Sequence, residues 1–216
     1  MATVKPESSV VLIGDIVGSR RAPDRGRVHD LVAAALVETN SAYAPTVDLA
    51  ITAGDEFQGT FADVGSAVAV SLRVRLSLLP EVDVRQGIGW GPVAVLAESP
   101  RVEDGPGWWA ARAAIEAVKA DAMRSGTRSA RTRYAVAPGA DGPRCEPVNA
   151  ALLARDHLVG RLDARALSVL RGLLSGRTQH ELARAEGITA SAVSQRVRND
   201  GIGVVMAMDE LLRRVW

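Results

Sequence analysis

The chain has 216 residues, of which 47% are apolar and 24% charged, and its formal net charge is +1. This composition is typical of a globular protein and excludes a disordered chain, and no apolar run approaches the ~20 residues that a membrane-spanning helix needs. A single cysteine, Cys145, excludes an intramolecular disulfide and a cysteine-based zinc site. The first residues also lack the apolar core of a signal peptide. We therefore expect a cytoplasmic protein with no membrane partner.

Strands alternate with helices over the first two thirds of the sequence. In chain order, the patterns predict a strand at Val10–Asp15, a helix ending near Asn40, a hairpin of Val47–Ala53 and Glu56–Phe61 with Asp55 at its tip, a helix between Asp63 and Leu79, strands at Val82–Ile88 and Val93–Ala97, a polar loop at Glu98–Gly107, a helix at Trp108–Arg124 and a strand at Thr132–Ala137. Pro138–Pro147 is rich in Gly and Pro and suits a linker, and the pattern after it is helical. We predict an α+β domain over residues 1–145 and a small all-α domain over residues 146–216.

Two Gly-Asp steps follow apolar strands, at Asp15 and at Asp55. Carboxylate oxygens are the ligands that Mg²⁺ or Mn²⁺ prefers, usually together with substrate phosphates. We therefore predict that Asp15 and Asp55 hold a divalent metal. The alternative is that each aspartate only accepts local backbone N–H groups in a turn.

The turn after Asp15 has features of a phosphate site. Backbone N–H groups in such a turn can surround a triphosphate, and an arginine can pair with phosphate oxygens. The residues predicted to bind a nucleotide cofactor are Ile16, Val17, Gly18, Ser19, Arg20 and Arg112. For Arg112, an ordinary solvated helix charge is an equal alternative.

Four segments resemble a known enzyme family when they are taken in order. They are Asp15–Ser19, Ala53–Phe57, Val84–Val93 and Ala110–Arg112. Together they resemble the opening strand, metal turn, strand-turn and following helix of class III nucleotide cyclases, and the second also resembles the G-G-D-E-F signature of diguanylate cyclases. The nearest resemblance is to the SatD-like group, which carries G-D-I-V-G-S-R and G-D-E-F-Q-G. It implies the ferredoxin-like palm fold of cyclases and polymerases.

The chain departs from the cyclase pattern where cyclases select the base. The family's lysine, asparagine, aspartate and histidine are replaced by Ile51, Trp108, Arg101 and Gly89. The metal and phosphate half of the pattern is retained at Asp15, Asp55 and Arg112, which would be the catalytic residues if the protein is an enzyme. The resemblance therefore favours nucleotide binding over cyclase activity.

Several further side chains have two interpretations. Glu56 is expected to point away from the pocket because neighbours in a strand alternate faces. Trp90, Trp108 and Trp109 either pack or stack a base. The arginines between Arg124 and Arg133 lie on a solvated loop or contact phosphate, and His29, His157 and His180 have no mutual metal spacing and are expected to be exposed.

The segment Leu162–Asn199 resembles a helix-turn-helix of the sigma-factor region-4 or LuxR type. Thr178 and Glu181 predict a capping box, Gly187 a turn and Thr189 the next cap. On the helix that follows, the residues predicted to contact DNA are Ser191, Ser194, Gln195, Arg196 and Arg198. The partner would be double-stranded DNA, bound by a homodimer. The alternative is a helical bundle that uses the motif for packing or dimerisation.

These patterns lead to three hypotheses. The main one is a DNA-binding transcriptional regulator whose palm domain senses a nucleotide or related phosphorylated ligand together with Mg²⁺ or Mn²⁺. The second is a metal-dependent nucleotidyl cyclase or nucleotidyltransferase-like enzyme that uses Asp15 and Asp55. The third is a palm-fold scaffold that binds no ligand.

Overall fold

The computed structural model describes residues 8–19, 23–99 and 101–216. The strands are β1 Ser8–Ile16, β2 Val47–Ala53, β3 Glu56–Phe61, β4 Val84–Pro92, β5 Ala94–Glu98, β6 Arg101–Asp104 and β7 Thr132–Val136. The α-helices are α1 Arg25–Tyr43, α2 Val64–Leu78, α3 Pro106–Ala122, α4 Cys145–Val159, α5 Ala164–Leu174, α6 Gln179–Glu186, α7 Ala190–Asn199 and α8 Ile202–Leu212. None of the helices in these ranges is at once long enough and apolar enough to cross a membrane.

The main sheet has five strands in the order β2-β3-β1-β4-β7. The first four are mutually antiparallel, and β7 adds in parallel to β4. The chain from β1 to β4 therefore has the β-α-β-β-α-β connectivity of a ferredoxin-like fold. The predicted mixed α+β architecture is confirmed.

Helices cover both faces of this sheet. Val10, Leu12 and Phe57 face α1 and α2, whereas Val11 and Ile13 face α3, because successive residues of a strand point to opposite sides. Helix α3 lies very close to β4. A Cβ added at Gly89 would sit 2.3 Å from Ala111 N and 2.3 Å from Gly107 O, so this strand position requires glycine.

One predicted loop contains a strand. Within Glu98–Gly107, β6 pairs with β5 in a two-stranded antiparallel ribbon outside the main sheet. Val95, Leu96 and Val102 are exposed on it. A ribbon with little burial lacks the apolar-polar alternation that identifies a half-buried strand, which explains the difference. The helix predicted to begin at Trp108 begins at Pro106, and proline suits the first helical position.

The C-terminal helices share their core with the sheet domain. Leu72 and Leu76 of α2 are buried in one cluster with Leu167, Leu170 and other residues of α5 to α8. Residues of α4 and α8 join the main core, among them Leu152 and Leu212. Over the described part of the chain, the structure thus shows no separate all-α domain.

A buried ionic network fixes α4 to the sheet domain. Asp156 is 1% exposed, and its Oδ2 accepts from the backbone N–H groups of Arg131 and Thr132, at 2.7 and 2.6 Å. Its Oδ1 accepts from Arg75 of α2 at 3.2 Å. Arg155, also 1% exposed, donates to the carbonyl of Val68 at 3.0 Å. Burial raises the pKa of Asp156 and lowers that of Arg155, so both charges are held at a desolvation cost.

Local signals in the C-terminal third are correct. Thr178 and Glu181 form the predicted capping box at the start of α6. Gly187 adopts a left-handed conformation after α6, and Thr189 caps α7 through the N–H of Ala192. Helices α6 and α7 are therefore two short helices joined by a tight turn, as predicted.

Candidate functional site

The two Gly-Asp turns lie at one end of the main sheet. Asp15 is directly opposite Glu56 in the β1–β3 register, and Gly54 and Asp55 form the turn that precedes Glu56. Gly54 has a φ of 64°, which favours glycine. The hairpin with Asp55 at its tip is confirmed.

Gly14 is needed for packing in this region. A Cβ added there would fall 2.0 Å from the ring of Phe57, which is completely buried. The Gly before Asp15 and the Phe after Glu56 are thus explained by one close contact on the α1 and α2 side of the sheet. Asp15 itself points to the other side.

Asp15 belongs to a group of charges on the α3 face that we call the α3 ion cluster, made of Asp15, Glu56, Arg85, Arg112, Glu116 and Lys119. Asp15 Oδ1 accepts from Arg85 Nε at 3.0 Å, and Lys119 Nζ lies 3.1 Å from Asp15 Oδ2. The Asp15 side chain is only 12% exposed. Both of its oxygens therefore contact a cationic side chain of this chain.

Glu56 and Arg112 form the other half of the α3 ion cluster. Arg112 donates from both terminal nitrogens to the two Glu56 oxygens, at 2.8 Å for the Nη2–Oε1 bond. The hydrogen bond to Glu56 raises the pKa of Arg112. Burial lowers the pKa of Lys119, but hydrogen bonds to Glu116 and Asp15 outweigh it and leave that pKa above its ordinary value. Arg112 and Lys119 are therefore charged at neutral pH.

A cleft of about 370 Å³ opens beside the same end of β1, and we call it the α1 cleft. Its polar lining includes Ser19, Arg25, His29 and Asp55. Its apolar lining is Ile16, Val28, Val32 and Ile51. An apolar cavity of a few hundred Å³ with a few convergent polar groups is typical of small-molecule sites.

The structure separates the predicted site residues between these two places. Ile16, Ser19 and Asp55 line the α1 cleft, whereas Asp15 and Arg112 point into the α3 ion cluster. Val17 and Gly18 form the turn after β1, with Gly18 at a φ of 74°. Arg20 lies outside the described residues. Glu56 does not line the α1 cleft but lies on the same face of the sheet as Asp15, so it points away from Asp55 and not from Asp15.

The carboxylates of Asp15 and Asp55 meet only some of the requirements of a metal site. Mg²⁺ is commonly bound through one or two carboxylates plus substrate phosphates, and Asp15 and Asp55 could supply two. No group of three metal-ligating side chains occurs among the residues described, and Lys119 contacts the Asp15 carboxylate that a metal would use. The residues therefore fit a cation that arrives with a phosphorylated ligand better than a resident metal.

The residues predicted to contact DNA lie on α7. Ser191, Gln195 and Arg198 are exposed, and their spacing places them along one side of the helix. Ser194 is half-buried. Arg196 instead bonds within the chain, to Asp163 at 3.1 Å and to Asp200 at 3.0 Å.

The three tryptophans that could have stacked a base have different surroundings. Trp90 packs partly buried against the main core and donates to the carbonyl of Asp141 at 2.8 Å. Trp108 packs against the small cluster under α3. Trp109 is 63% exposed and donates to Asp104 at 3.0 Å. None of them lines the α1 cleft, so the structure gives them packing and surface roles.

Comparison with known proteins identifies the family. A family model described as the SatD family matches residues 9–211. The chain belongs to the SatD family. No curated protein is significantly similar to it in sequence.

Solved structures similar to this SatD-family chain are nucleotide cyclases. A bacterial light-regulated adenylyl cyclase is 18% identical with a TM-score of 0.43, over 55% of this chain and 42% of that one. The guanylate cyclase domain from Catenaria anguillulae, solved with GTP, is 17% identical with a TM-score of 0.43, over 53% and 75%. The adenylyl cyclase CyaB from P. aeruginosa is 16% identical with a TM-score of 0.38, over 50% and 72%. The chain thus spans less than half of the light-regulated enzyme, and these similarities are limited to the fold.

Four residues near the end of β1 were not predicted to bind a ligand, and His29 among them is exposed, as expected. Arg85 and Lys119 neutralise Asp15, and Arg25 and His29 line the α1 cleft. Arg85 is directly opposite Asp15 on β4, so the strand pairing could have revealed it. No sequence signal identifies the other three, because their positions depend on how α1 and α3 dock.

Proposed function

We propose that this SatD-family protein binds a nucleotide or a related phosphorylated small molecule in the α1 cleft. The observation that carries the proposal is the division of the cleft lining into an apolar part and a polar part. Val28, Val32 and Ile51 provide an apolar surface for a base or sugar, and Arg25 and His29 provide donors for phosphate oxygens. A ligand of this class has the same two parts.

A divalent cation would enter with the phosphates. Asp55 lines the cleft, whereas Asp15, one residue before the end of β1, points to the α3 face of the sheet. Mg²⁺ or Mn²⁺ with phosphate ligands needs only one or two protein carboxylates. For both aspartates to take part, the Asp15 side chain would have to leave Arg85 and Lys119 and turn from the α3 face towards the cleft. When bound, the cation would neutralise phosphate charge.

A thermal-shift series tests this proposal. The protein is melted with ATP, GTP or cyclic nucleotides, with and without Mn²⁺. A ligand at one hundred times its Kd stabilises the folded state by about 2.7 kcal/mol, which corresponds to a Tm rise of about 5–11 °C for a chain of this size. We expect the rise to be lost in Arg25→Ala/His29→Ala.

The matched control is Arg27→Ala. Arg27 lies on the same helical turn but pairs with Glu81 at the surface, outside the cleft. It should keep the full ligand-dependent rise. The proposal fails if no ligand raises the Tm of the wild type, or if the double variant responds as the wild type does.

A metal-dependent nucleotidyl cyclase or nucleotidyltransferase-like enzyme is the second candidate. It is favoured by the register that brings the turns of Asp15 and Asp55 to one end of the sheet. Arg112 does not support this candidate, because both of its terminal nitrogens already donate to Glu56. Chromatography of the same incubations tests this candidate, because new cyclic or pyrophosphate product that disappears in Asp15→Asn/Asp55→Asn would establish turnover.

A nucleotide-sensing DNA-binding regulator is the third candidate. It is favoured by the exposed side of α7 that carries Ser191, Gln195 and Arg198, residue types that bond base edges and phosphates. Duplex DNA binding would fall steeply with salt and weaken in Gln195→Ala/Arg198→Ala. Light scattering would test the predicted homodimer. Salt-independent or absent duplex binding would remove this candidate.

A further inference from the structure

A second concave surface runs along the junction between the sheet domain and the C-terminal helices. One cavity of about 640 Å³ lies between the segment 125–131, the start of β4 and the α4–α5 connection. A second cavity of about 480 Å³ lies between that connection and the end of α7. His157, Arg161 and Leu162 line both cavities. The two cavities therefore adjoin the same three residues, and we call them together the seam groove.

The seam groove is lined by arginines that have no acidic partner. Arg128, Arg161 and Arg198 line it and are exposed. Among the residues that the structure describes, none of these three lies within salt-bridge distance of a carboxylate. Most of the other arginines that the structure describes form salt bridges, and the three in this groove are available as donors.

Each acidic residue of the groove is paired with an arginine. Asp83 accepts from Arg75 and Arg131, at 2.8 and 2.6 Å. Burial raises the pKa of Asp83, but the two guanidinium groups outweigh it and leave the pKa below its ordinary value. The remaining two, Asp163 and Asp200, share Arg196. The lining of the two cavities holds five arginines and three aspartates, so its net charge is +2.

We infer that the seam groove binds a ligand that carries several phosphate groups in succession. This inference rests on three unpaired arginines. Arg128 lines the first cavity, Arg161 lines both, and Arg198 lines the second. A guanidinium group matches the geometry of phosphate oxygens, and a row of them matches a linear polyanion. The same chemistry is offered by a free polyphosphate and by the backbone of a nucleic-acid strand.

This site is distinct from the α1 cleft. The two share no lining residue. Arg198 also belongs to the exposed side of α7, so variants that test the groove are made at Arg128 and Arg161 only. Both side chains are exposed and have no carboxylate partner in the described residues, so their removal leaves the fold intact.

The experiment uses the full chain and two probes, inorganic tripolyphosphate and a labelled single-stranded oligonucleotide of about 12 nucleotides. Tripolyphosphate is followed by thermal shift, and the oligonucleotide by fluorescence anisotropy at increasing salt. We expect Arg128→Ala/Arg161→Ala to weaken binding at least about tenfold, since two charge-assisted hydrogen-bonding groups are lost. Arg128→Lys/Arg161→Lys should retain most of the affinity.

Two controls make the outcomes decisive. Arg184→Ala removes one exposed arginine of α6 that does not line the groove, and it should bind as the wild type does. Arg25→Ala/His29→Ala should also bind both probes, because it alters only the α1 cleft. Binding of tripolyphosphate alone would identify a free polyphosphate as the ligand, whereas tighter oligonucleotide binding would identify a strand.

Three results would overturn the inference. They are no binding of either probe to the wild type, equal binding by the groove variant and the wild type, and loss of binding in the α1-cleft variant but not in the groove variant. The last would assign phosphate binding to the α1 cleft. That result would be consistent with the proposed function and would contradict phosphate binding in the seam groove.

Discussion

The buried Asp156 gives the sharpest test of how the C-terminal helices are attached. Asp156→Ala removes the acceptor for two backbone N–H groups and the counter-charge of Arg75. Breaking a buried ion pair by removing one partner costs about 3–5 kcal/mol. For a chain of this size each kcal/mol lowers the Tm by about 2–4 °C, so we expect a fall of about 6–20 °C.

The assay is urea and thermal unfolding followed by circular dichroism. Asp156→Asn separates the contributions, because its amide oxygen can keep the two bonds to the Arg131 and Thr132 N–H groups while its NH₂ faces Arg75. It should fall between the wild type and the alanine variant. Glu210→Ala is the matched control, since its pair with Arg214 is exposed, and surface pairs contribute about 0–1 kcal/mol.

The shape of the transition matters as much as its midpoint. Because Leu72 and Leu76 of α2 share a hydrophobic cluster with the C-terminal helices, wild type and variants should each unfold in one transition. Two transitions, of which one keeps the wild-type midpoint in Asp156→Ala, would refute the shared core. A change of less than about 1 kcal/mol would refute the role given to the buried pair.

Three further changes test other parts of the structure. Gly89→Ala places a Cβ 2.3 Å from the α3 backbone, and we expect it to destabilise by about 1–3 kcal/mol, measured by urea unfolding; a wild-type midpoint would contradict the close approach of α3. Asp63→Ala removes the cap on the Ser66 N–H, 2.7 Å away, and should cost about 1 kcal/mol in the same assay, whereas Asp63→Ser should restore stability; equal losses in both would rule out capping. Asp83 has a lowered pKa, so its contribution is complete above the ordinary carboxyl value of about 4 and is lost as the pH falls through the lower folded value. The stability difference between wild type and Asp83→Asn should therefore stay constant from neutral pH down to about pH 4 and shrink below it. A stability difference that widens on acidification would contradict the lowered pKa of Asp83.

Signals confined to a few neighbouring residues predict this structure well. The caps at Asp63, Thr178 and Thr189 and the hairpin turn at Gly54 all lie where the sequence places them. Each depends on bonds between residues at most four positions apart. The ferredoxin-like order of the sheet follows from the succession of elements together with the cyclase resemblance.

Partners that are distant in sequence were not predictable. The two cationic side chains that contact Asp15 belong to Arg85 and Lys119. They lie next to it only because of the strand register and the packing of α3 on the sheet. The sequence predicts a linker at Pro138–Pro147, but nothing in it indicates that α4 carries a buried Arg155-Asp156 pair that bonds to α2 and β7. A charged pair inside a helical pattern is ordinarily solvated, so the pattern favours an independent domain.

The buried connections limit how a ligand in the α1 cleft could influence the C-terminal helices. Rigid separation of these helices would expose Leu72 and Leu76 and strip Arg155 and Asp156 of their partners. Breaking the buried pair alone is expected to cost about 3–5 kcal/mol, whereas a ligand at one hundred times its Kd supplies about 2.7 kcal/mol. The ligand also shifts the equilibrium only by its difference in affinity for the two states. Any coupling must therefore act without undocking, through small changes along α2, whose residues reach both the sheet core and the helical core. A ligand-dependent change in DNA binding that required hinge opening would be inconsistent with this structure, whereas one that altered only the seam groove or α7 would be consistent with it.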